Sequence, residues 1–181
     1  MPDTDRVILV DEDDRPVGEA GKLEAHSGNG ALHRAISVFV MNPGGELLLQ
    51  RRALEKYHFG GLWSNTCCTH PRPGESTAAA ARRRLREEMG VDCELKEAFS
   101  FTYEARSPNG LVEREFDHVF VGHFDGPVRF DPQEVAEFRW VGMTNLTQEI
   151  VAEPDRFTPW IGIALKRVME HVAKGPTPSA R

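Results

Sequence analysis

Residues Gly74 to Val91 read GESTAAAARRRLREEMGV, and this stretch does most to decide the fold. Its alanine, arginine, leucine and glutamate residues favour an α-helix. Gly90 stands where a left-handed residue often ends a helix. We therefore predict a helix from Glu75 to Gly90, and the rest of the chain is interpreted around it.

The charged face of this helix has two possible interpretations. Because a helix repeats about every 3.6 residues, Arg84 and Glu88 share one face, and Arg83 and Glu87 share the neighbouring one. Ion pairs on an exposed surface would explain the pattern and contribute only about a few tenths of a kcal/mol each. Alternatively, arginine side chains bind phosphate oxygens and a glutamate holds a bridging cation. These residues alone leave both interpretations open.

Strand patterns stand on both sides of this helix. Short β-branched and apolar runs alternate with turn residues such as Pro43-Gly44-Gly45 and Asn109-Gly110. We predict an entrance hairpin, two further hairpins and a last strand, at Val7–Val10 with Val17–Lys22, Ala35–Met41 with Glu46–Arg51, Phe99–Ala105 with Val112–Phe124, and Phe138–Val141.

A second helix is predicted near the end of the chain. Thr158 offers a hydroxyl cap, and Pro159 suits the first turn. The apolar positions that keep a helical spacing, up to about His171, are Trp160, Ile163, Ala164 and Val168. Strands around one helix, with another helix at the end, indicate an α/β sandwich with a mixed sheet.

One domain accounts for the whole pattern. The chain has 181 residues, and its 40% apolar content is enough for a single core. Neither an internal repeat nor a long linker divides it. We expect residues 7–174 to form one domain, with flexible ends at residues 1–6 and 175–181.

Composition and charge exclude several functions. A net charge of -6 argues against general affinity for nucleic acid or anionic membranes. Apolar runs fall short of the roughly 20 residues that cross a bilayer, and Met1 to Arg6 lack a signal-peptide core. We expect a cytoplasmic protein without an obligate protein partner. Cys67, Cys68 and Cys93 should be free thiols, because two of the three are neighbours.

Two groups of residues capable of binding metal lie far apart in the sequence. His26, His33 and His70 form the first group, and Glu113 with Glu115 forms the second. Spacing of two residues on a strand puts both carboxylates on one face of the sheet. Together these groups would suit a six-coordinate Mg²⁺, Mn²⁺ or Zn²⁺ site with one open position. Hydrogen-bonding histidines and a solvated strand face remain the alternative.

Cys68 also has two interpretations. It follows Asn65-Thr66-Cys67 and precedes Thr69-His70. A buried, small apolar residue is the commonest role of an intracellular cysteine. The functional interpretation is that Cys68 acts as a proton donor or nucleophile beside a metal-binding histidine. With an ordinary pKa of about 8.5, the thiol remains largely protonated at neutral pH and can serve as an acid.

The central helix and the residues before it resemble the Nudix box, a strand-loop-helix motif that binds a diphosphate through divalent metal. The matching residues are Glu75, Arg83, Leu85, Glu87, Glu88, Gly90 and Val91. The resemblance implies a Nudix-type α/β/α sandwich. Two positions depart from the hydrolase pattern, with Thr69 in place of a glycine and Arg84 in place of a glutamate. Loss of that carboxylate argues against ordinary hydrolysis.

Several separated motifs resemble the type I isopentenyl-diphosphate isomerases, over about Val7 to Met169. These motifs are Leu32 to Ser37, Arg51 to Leu54, Trp63 to Pro71, Gly74 to Ser76, Glu113 to Glu115, and Phe157 to Trp160. The resemblance implies an isomerase of isoprenoid biosynthesis that interconverts isopentenyl and dimethylallyl diphosphate through a tertiary carbocation.

The same resemblance implies a set of metal and substrate ligands. One metal, Mg²⁺, Mn²⁺ or Zn²⁺, would be held by His26, His33, His70, Glu113 and Glu115. Glu88 would support a second Mg²⁺ that is bound with the diphosphate. The diphosphate contacts would be Lys22, Arg52, Lys56 and Arg84.

Catalytic roles follow from the resemblance as well. Cys68 and Glu115 correspond to the acid and base on opposite faces of the carbon skeleton, with Tyr103 beside the carboxylate. Trp160 corresponds to the aromatic residue that faces the cation. One rival is a Nudix pyrophosphohydrolase that acts on a nucleotide or another diphosphate. Another is a Nudix-like binding module without catalysis.

Overall fold

The computed structural model describes residues 6–175, and a mixed nine-stranded sheet forms the centre of that part of the chain. Its strands are β1 (Arg6–Val10), β2 (Pro16–Gly21), β3 (His33–Met41), β4 (Glu46–Arg52), β5 (Trp63–Ser64), β6 (Cys67–Thr69), β7 (Leu95–Arg106), β8 (Val112–His123) and β9 (Val135–Gly142). The helices are α1 (Lys22–Ala25), α2 (Thr77–Met89), α3 (Met143–Ala152) and α4 (Pro159–Ala173), with a 3₁₀ turn at Pro154–Arg156.

Strand β3 occupies the middle of this sheet. It runs parallel to β8, in a register that pairs His33 with Glu115 and Met41 with His123. The other strand pairs are antiparallel: β1 with β2 and β3, β3 with β4 and β6, β4 with β5 and β9, and β7 with β8. The predicted mixed sheet is therefore confirmed.

Apolar side chains cover both faces of the sheet. Along β3, Val38 and Val40 pack with the residues of α2, whereas Phe39 and Met41 pack with α3 and α4. This alternation follows from the two-residue repeat of a strand that is buried on both faces. Helix α2 lies on one face and helices α3 and α4 on the other, so the predicted α/β/α sandwich is confirmed.

Helix α2 confirms the prediction made from the central stretch, although it begins at Thr77 and not at Glu75. Ser76 caps it, because its hydroxyl oxygen accepts a hydrogen bond from the amide of Ala79 at 3.2 Å. Gly90 ends it at a φ of 61°, and an added Cβ there would collide with the carbonyl oxygen of Arg129. Glycine is required at this position by its conformation and by this close approach.

The predicted hairpins are confirmed with three corrections. Lys22, expected at the end of the second strand, begins α1 instead, since the carboxylate of Glu24 accepts a hydrogen bond from the amide of Gly21. Strands β3 and β4 pair only at Met41 and Leu47, because β6 and β8 border the rest of β3. The third hairpin is longer than predicted, with β7 beginning at Leu95.

Helix α4 begins at Pro159 as predicted, but two details of the prediction were wrong. The hydroxyl of Thr158 does not cap the helix; its Oγ1 lies 3.0 Å from the hydroxyl of Ser64. Ile163 is 46% exposed, while Ile161 is fully buried. The buried face therefore includes Ile161 and Leu165, in addition to Trp160, Ala164 and Val168.

Strands β5 and β6, helices α1 and α3 and the 3₁₀ turn were not predicted. Strands β5 and β6 have two and three residues, too few for a periodic pattern to form. Helix α3 starts after Gly142, which offers no side-chain cap, and Leu146 is its fully buried residue. Met143, Leu146 and Ile150 keep a helical spacing and pack on the core, but without a start signal the segment was not recognised as a helix.

The two ends of the chain were expected to be flexible. Arg6 is the first residue of β1 and so does not belong to the expected flexible N-terminal segment. Gly175, expected in the flexible C-terminal tail, is described, and its amide donates a hydrogen bond to the carbonyl oxygen of Val172 at 3.1 Å. Residues 1–5 and 176–181, the rest of the segments expected to be flexible, lie outside the described residues. Between residues 6 and 175, no helix combines the length and apolarity that a membrane span requires. All three cysteines are free thiols, as predicted.

Candidate active site

One pocket brings together residues from distant parts of the chain. All residues predicted to act in catalysis or in diphosphate binding line it: Cys68, Tyr103, Glu115 and Trp160, and Lys22, Arg52, Lys56 and Arg84. The sheet positions them because β6, β7 and β8 end or pass here, while α2 and α4 approach from opposite faces.

The two predicted groups of metal-binding residues form one cluster. His26, His33, His70, Glu113 and Glu115 each offer one ligand atom, and these atoms lie within 4.8 Å of one another. The parallel register of β3 and β8 puts His33 directly beside Glu115. The two-residue spacing on β8 turns both carboxylates to the same side, as predicted. This arrangement can bind a metal ion.

The imidazoles of this cluster are oriented by the backbone. Nδ1 of His26 lies 2.6 Å from the carbonyl oxygen of Lys22, and Nδ1 of His33 lies 2.8 Å from that of Ala31. Each Nδ1 therefore donates its proton, which leaves a lone pair on Nε2. Nε2 of His33 and Nε2 of His70 face each other at 3.1 Å. Converging ring nitrogens with carbonyl-bound Nδ1 atoms are typical of metal-ligating histidines, so the donor set fits a divalent metal.

The protonation states of His70 and the two carboxylates suit a cation. His26 differs: burial opposes its charged form, but the hydrogen bond and the charge of Glu113 raise its pKa. Burial lowers the pKa of His70 to about 4, which keeps its ring neutral at physiological pH. Burial alone would raise the pKa of Glu115, but its contacts with the imidazoles of His33 and His70 bring it well below its ordinary value. Glu113 has a lowered pKa too, because bonds to His26 and His58 outweigh its burial and the charge of Glu115. Neutral imidazoles and ionised carboxylates are the forms that bind metal.

Tyr103 and Glu115 form a pair beside the cluster. The tyrosine hydroxyl donates a hydrogen bond of 2.6 Å to Oε2 of Glu115, while Oε1 lies 2.9 Å from Nε2 of His70. Burial and the charge of Glu115 raise the pKa of Tyr103 well above its ordinary value. The phenol therefore remains a hydrogen-bond donor to the carboxylate.

Cys68 occupies another wall of the pocket. Burial, followed by the charge of Asp117, raises the pKa of its thiol to about 12. The sulfur lies 3.1 Å from Oδ1 of Asn65 and 3.5 Å from the hydroxyl of Ser37, which donates to Asp117 at 2.7 Å. A thiol in this environment stays protonated and can act as an acid but not as a ready nucleophile.

Trp160 closes the apolar part of the pocket. The ring of Phe59 meets its indole edge to face at 5.4 Å, and the ring of Tyr103 lies 6.2 Å away. The guanidinium of Arg52 lies 5.8 Å from the indole centroid. The indole face is therefore able to stabilise positive charge in this pocket.

Cations and carboxylates alternate at the opposite end. Arg84 binds Glu88 at 2.8 Å and Glu134 at 2.9 Å, and Lys56 also binds Glu134. The carboxylate of Glu88 accepts a further hydrogen bond from Gln50 at 2.7 Å. The ion pairs predicted for α2 are present, yet Arg84 and Glu88 line the pocket and are not on an exposed surface. This cationic end can bind a phosphate group.

Sequence analysis missed several residues of this site. His58 is buried, and its Nε2 lies 2.5 Å from Oε1 of Glu113. Glu134 binds Lys56 and Arg84. Asn65 accepts a hydrogen bond from the indole of Trp160, and Gln50 donates one to Glu88. The contacts of His58, Glu134 and Asn65 bridge segments far apart in the chain, so sequence spacing carried no signal for them.

Comparison with known proteins defines the class. The family model for the NUDIX domain matches residues 31–161, which leaves the β1–β2 hairpin as an N-terminal extension. The fold is similar to the crystal structure of DR0079 from Deinococcus radiodurans, with a TM-score of 0.75 and 23% identity over 90% of this chain and 98% of that one. A MutT NUDIX hydrolase from Burkholderia pseudomallei has a TM-score of 0.61 at 21% identity, covering 76% and 98%. Fold and family model together define a Nudix-domain protein.

Curated relatives define the family more narrowly. The chain is 58% identical to isopentenyl-diphosphate Delta-isomerase 2 of Aromatoleum aromaticum, over 91% of this chain and 87% of the relative. It is 53% identical to isopentenyl-diphosphate Delta-isomerase of Burkholderia multivorans, over 90% and 92%. This chain belongs to the isopentenyl-diphosphate Delta-isomerase family.

Proposed function

We propose that this protein interconverts isopentenyl diphosphate and dimethylallyl diphosphate by protonation and deprotonation, in isoprenoid biosynthesis in the cytoplasm. The observation that carries the proposal is that one pocket contains the protonated thiol of Cys68, the carboxylate of Glu115 and the indole of Trp160 beside a cationic end. Residues 7–174 act as one domain, with no nucleic acid, membrane or obligate protein partner.

Cys68 is the acid of this reaction. An unactivated alkene is a poor base, so its protonation needs a donor that is held in place and free of competing water. The raised pKa of the Cys68 thiol, about 12, means that the proton is present throughout the physiological range. Its transfer to the terminal methylene carbon leaves a tertiary carbocation and a thiolate.

Glu115 is the base, and Tyr103 assists it. The carboxylate accepts the proton from the carbon next to the diphosphate-bearing one, which forms the new double bond. The phenol of Tyr103, 2.6 Å from Oε2, holds the carboxylate in position and shields it from other donors. Protonation on one side and deprotonation on the other move the double bond by one position without breaking a bond to phosphorus.

Trp160 faces the cationic intermediate. An aromatic face stabilises a cation by about 2 kcal/mol or more when water is absent, and it offers no lone pair that would trap the cation. The indole is 3% exposed and packs against Phe59 and Tyr103. This apolar wall keeps water from the carbocation, which water would otherwise quench.

The diphosphate lies at the cationic end of the pocket. Lys22, Arg52, Lys56 and Arg84 contact its oxygens, and arginine forks are well suited to phosphate geometry. Arg84 replaces a glutamate of the hydrolase pattern, so a positive charge stands where a metal-binding carboxylate would otherwise be. This exchange favours binding of the diphosphate over attack of water on it.

His26, His33, His70, Glu113 and Glu115 hold a divalent metal, Mg²⁺, Mn²⁺ or Zn²⁺, and Glu88 supports a Mg²⁺ that arrives with the diphosphate. When bound, such cations neutralise charge on the carboxylates and the diphosphate. The protein's own contribution is the orientation of the ring nitrogens by the carbonyl groups of Lys22 and Ala31.

Two assays on one sample test the proposal. Purified protein with Mg²⁺ and isopentenyl diphosphate should form dimethylallyl diphosphate without release of inorganic phosphate. The same protein should release little phosphate from nucleoside diphosphates. Phosphate release without isomerisation would favour the pyrophosphohydrolase, and metal-independent binding of the ligand without either reaction would favour a binding module.

A further inference from the structure

Asn65 lies between β5 and β6 and is fully buried. Its side-chain oxygen accepts hydrogen bonds from three donors. These donors are the thiol of Cys68 at 3.1 Å, the indole N–H of Trp160 at 3.0 Å and the hydroxyl of Ser64 at 3.0 Å. A single carbonyl oxygen therefore connects the proposed acid with the aromatic residue that faces the cation.

The orientation of this amide is fixed by its surroundings. Nδ2 of Asn65 donates to the carbonyl oxygens of Val38 at 3.0 Å and Cys67 at 2.9 Å, so the nitrogen faces only acceptors and the oxygen only donors. Rotation by 180° would set the amide N–H groups against the indole N–H and leave two carbonyl groups without donors. The carbonyl groups of Val38 in β3 and of Cys67 therefore hold the side-chain amide of Asn65 in one orientation.

Helix α4 is docked at the same place. The amide of Thr158 donates to the carbonyl oxygen of Trp63 at 2.9 Å, and its hydroxyl lies 3.0 Å from that of Ser64. These contacts fix the first turn of α4, but they leave the indole of Trp160 free to rotate. Packing against Phe59 and Tyr103 also holds the ring, and the hydrogen bond to Asn65 fixes the direction of the indole N–H.

We propose that Asn65 is a positioning residue that sets the Cys68 thiol and the Trp160 indole relative to each other. This inference rests on the proposed isomerase function and names a residue that acts through the two that touch the substrate. Loss of the oxygen frees the thiol to turn toward Ser37, 3.5 Å away, and leaves the buried indole N–H without a partner. A misplacement of about 1 Å reduces a reaction rate by about 100-fold.

The test compares Asn65→Ala and Asn65→Asp with a matched control, Thr66→Val. Thr66 is the next residue and fully buried, and its hydroxyl bonds only to backbone groups of Val40 and Leu48. Thr66→Val therefore removes buried hydrogen bonds in the same connection between β5 and β6 without touching the thiol or the indole. We expect Asn65→Ala to lower kcat about 100-fold with KM unchanged, because the cations that bind diphosphate are elsewhere. Thr66→Val should lower the melting temperature but keep kcat.

Nuclear magnetic resonance supplies a readout independent of activity. The chain has three tryptophans, so three indole N–H signals are expected, and Trp160→Phe identifies the one from Trp160. In Asn65→Ala this signal should move upfield and exchange faster with solvent. Asn65→Asp keeps an acceptor oxygen. Its buried carboxyl must be protonated, because its second oxygen faces the carbonyl oxygens of Val38 and Cys67, and the O–H can then donate to one of them. In this form the signal should stay near its original position, and kcat should recover in part relative to Asn65→Ala.

Each outcome decides the question. Equal kcat losses in Asn65→Ala and Thr66→Val, or an unmoved indole signal in Asn65→Ala, would overturn the positioning role. If Asn65→Ala does not fold, Asn65→Asp alone decides, since loss of its indole signal position would contradict the inference. Failure of the proposed function is distinct, because the unaltered protein would then not isomerise the substrate at all.

Discussion

The two ends of the pocket differ in how their polar groups are paired. At the inner end, Cys68 is hydrogen-bonded to Asn65, and Glu115 to Tyr103 and His70, and the pKa values of Cys68, Tyr103 and Glu115 are shifted. At the outer end, Lys56 and Arg84 bind carboxylates, and their side chains remain about one fifth exposed, at 19% and 20%. The inner end is thus fixed before substrate arrives, whereas the outer end must exchange partners.

This difference predicts which kinetic constant, kcat or KM, a variant in each end of the pocket should change. Groups at the inner end are already oriented for the developing charge, so changing them should lower kcat. Groups at the outer end bind the diphosphate equally in the ground state and the transition state, so changing them should raise KM. An inner-end variant that changes only KM, or an outer-end variant that changes only kcat, would contradict this difference between the two ends.

The largest effect is expected for the acid and the base. Cys68→Ala and Glu115→Gln should each lower kcat by at least about 1,000-fold, because each removes a proton-transfer group. Cys93→Ala is the matched control, since Cys93 lies outside the pocket lining, and it should keep wild-type kcat. Steady-state kinetics with isopentenyl diphosphate measures all three. Near wild-type turnover in Cys68→Ala or Glu115→Gln would refute the assigned role.

Metal retention should respond next. His33→Ala removes one of five converging ligands and should weaken Mn²⁺ or Zn²⁺ binding by about 100-fold or more, measured by titration calorimetry of metal-free protein. His123→Ala, which removes an exposed histidine at the end of β8, should bind as the wild type does. Equal metal affinity in both variants would show that the histidine cluster does not bind the metal.

A change at the outer end should act mainly on KM. Arg84→Gln removes one phosphate-binding charge and should raise KM by about 10-fold with a smaller change in kcat. Arg84→Glu would act more strongly, because it would gather a third carboxylate beside Glu88 and Glu134. Arg86→Gln on the same helix loses only an exposed pair with Asp92 and serves as control. A fall in kcat alone would contradict the division between the two ends.

The smallest effect concerns the stability of the outer end. Burial opposes ionisation of Glu134, but its bonds to Lys56 and Arg84 lower its pKa from 4.5 to about 2. A lowered pKa stabilises the folded state above pH 4.5, and this contribution is lost as the pH falls toward 2. Glu134→Gln should therefore reduce the free energy of unfolding by about 1–2 kcal/mol at pH 6, after allowance for partial exposure. Chemical denaturation of both proteins at pH 6 and near pH 2 checks this prediction. A difference in the free energy of unfolding that stays the same at the two pH values would contradict it.

Much of the fold could be predicted from local sequence. The composition of 75–90 and the glycine at its end predicted α2, and alternating apolar residues predicted the long strands. Strands β5 and β6 escaped because they are too short to carry a pattern. Helix α3 escaped because its start lacks a capping side chain.

The site divides in a similar way. The position of the candidate ligands Glu113 and Glu115 was predictable, because their spacing on one strand already puts them on one face. Asn65 was not, since its bond to Trp160 joins residues 95 positions apart. His58 and Glu134 escaped for the same reason, with contacts to Glu113 and Lys56 that only the folded chain creates.

The most direct test of the account is proton nuclear magnetic resonance of isopentenyl diphosphate with the protein and Mg²⁺ in deuterated water. Deuterium from Cys68 should enter the methyl group formed at the former methylene carbon, as the signals of dimethylallyl diphosphate appear. In the reverse direction, deuterium from Glu115 should enter the carbon next to the diphosphate-bearing one. Unchanged substrate, or free phosphate without deuterium in either position, would contradict the claim that a thiol and a carboxylate act on one ligand.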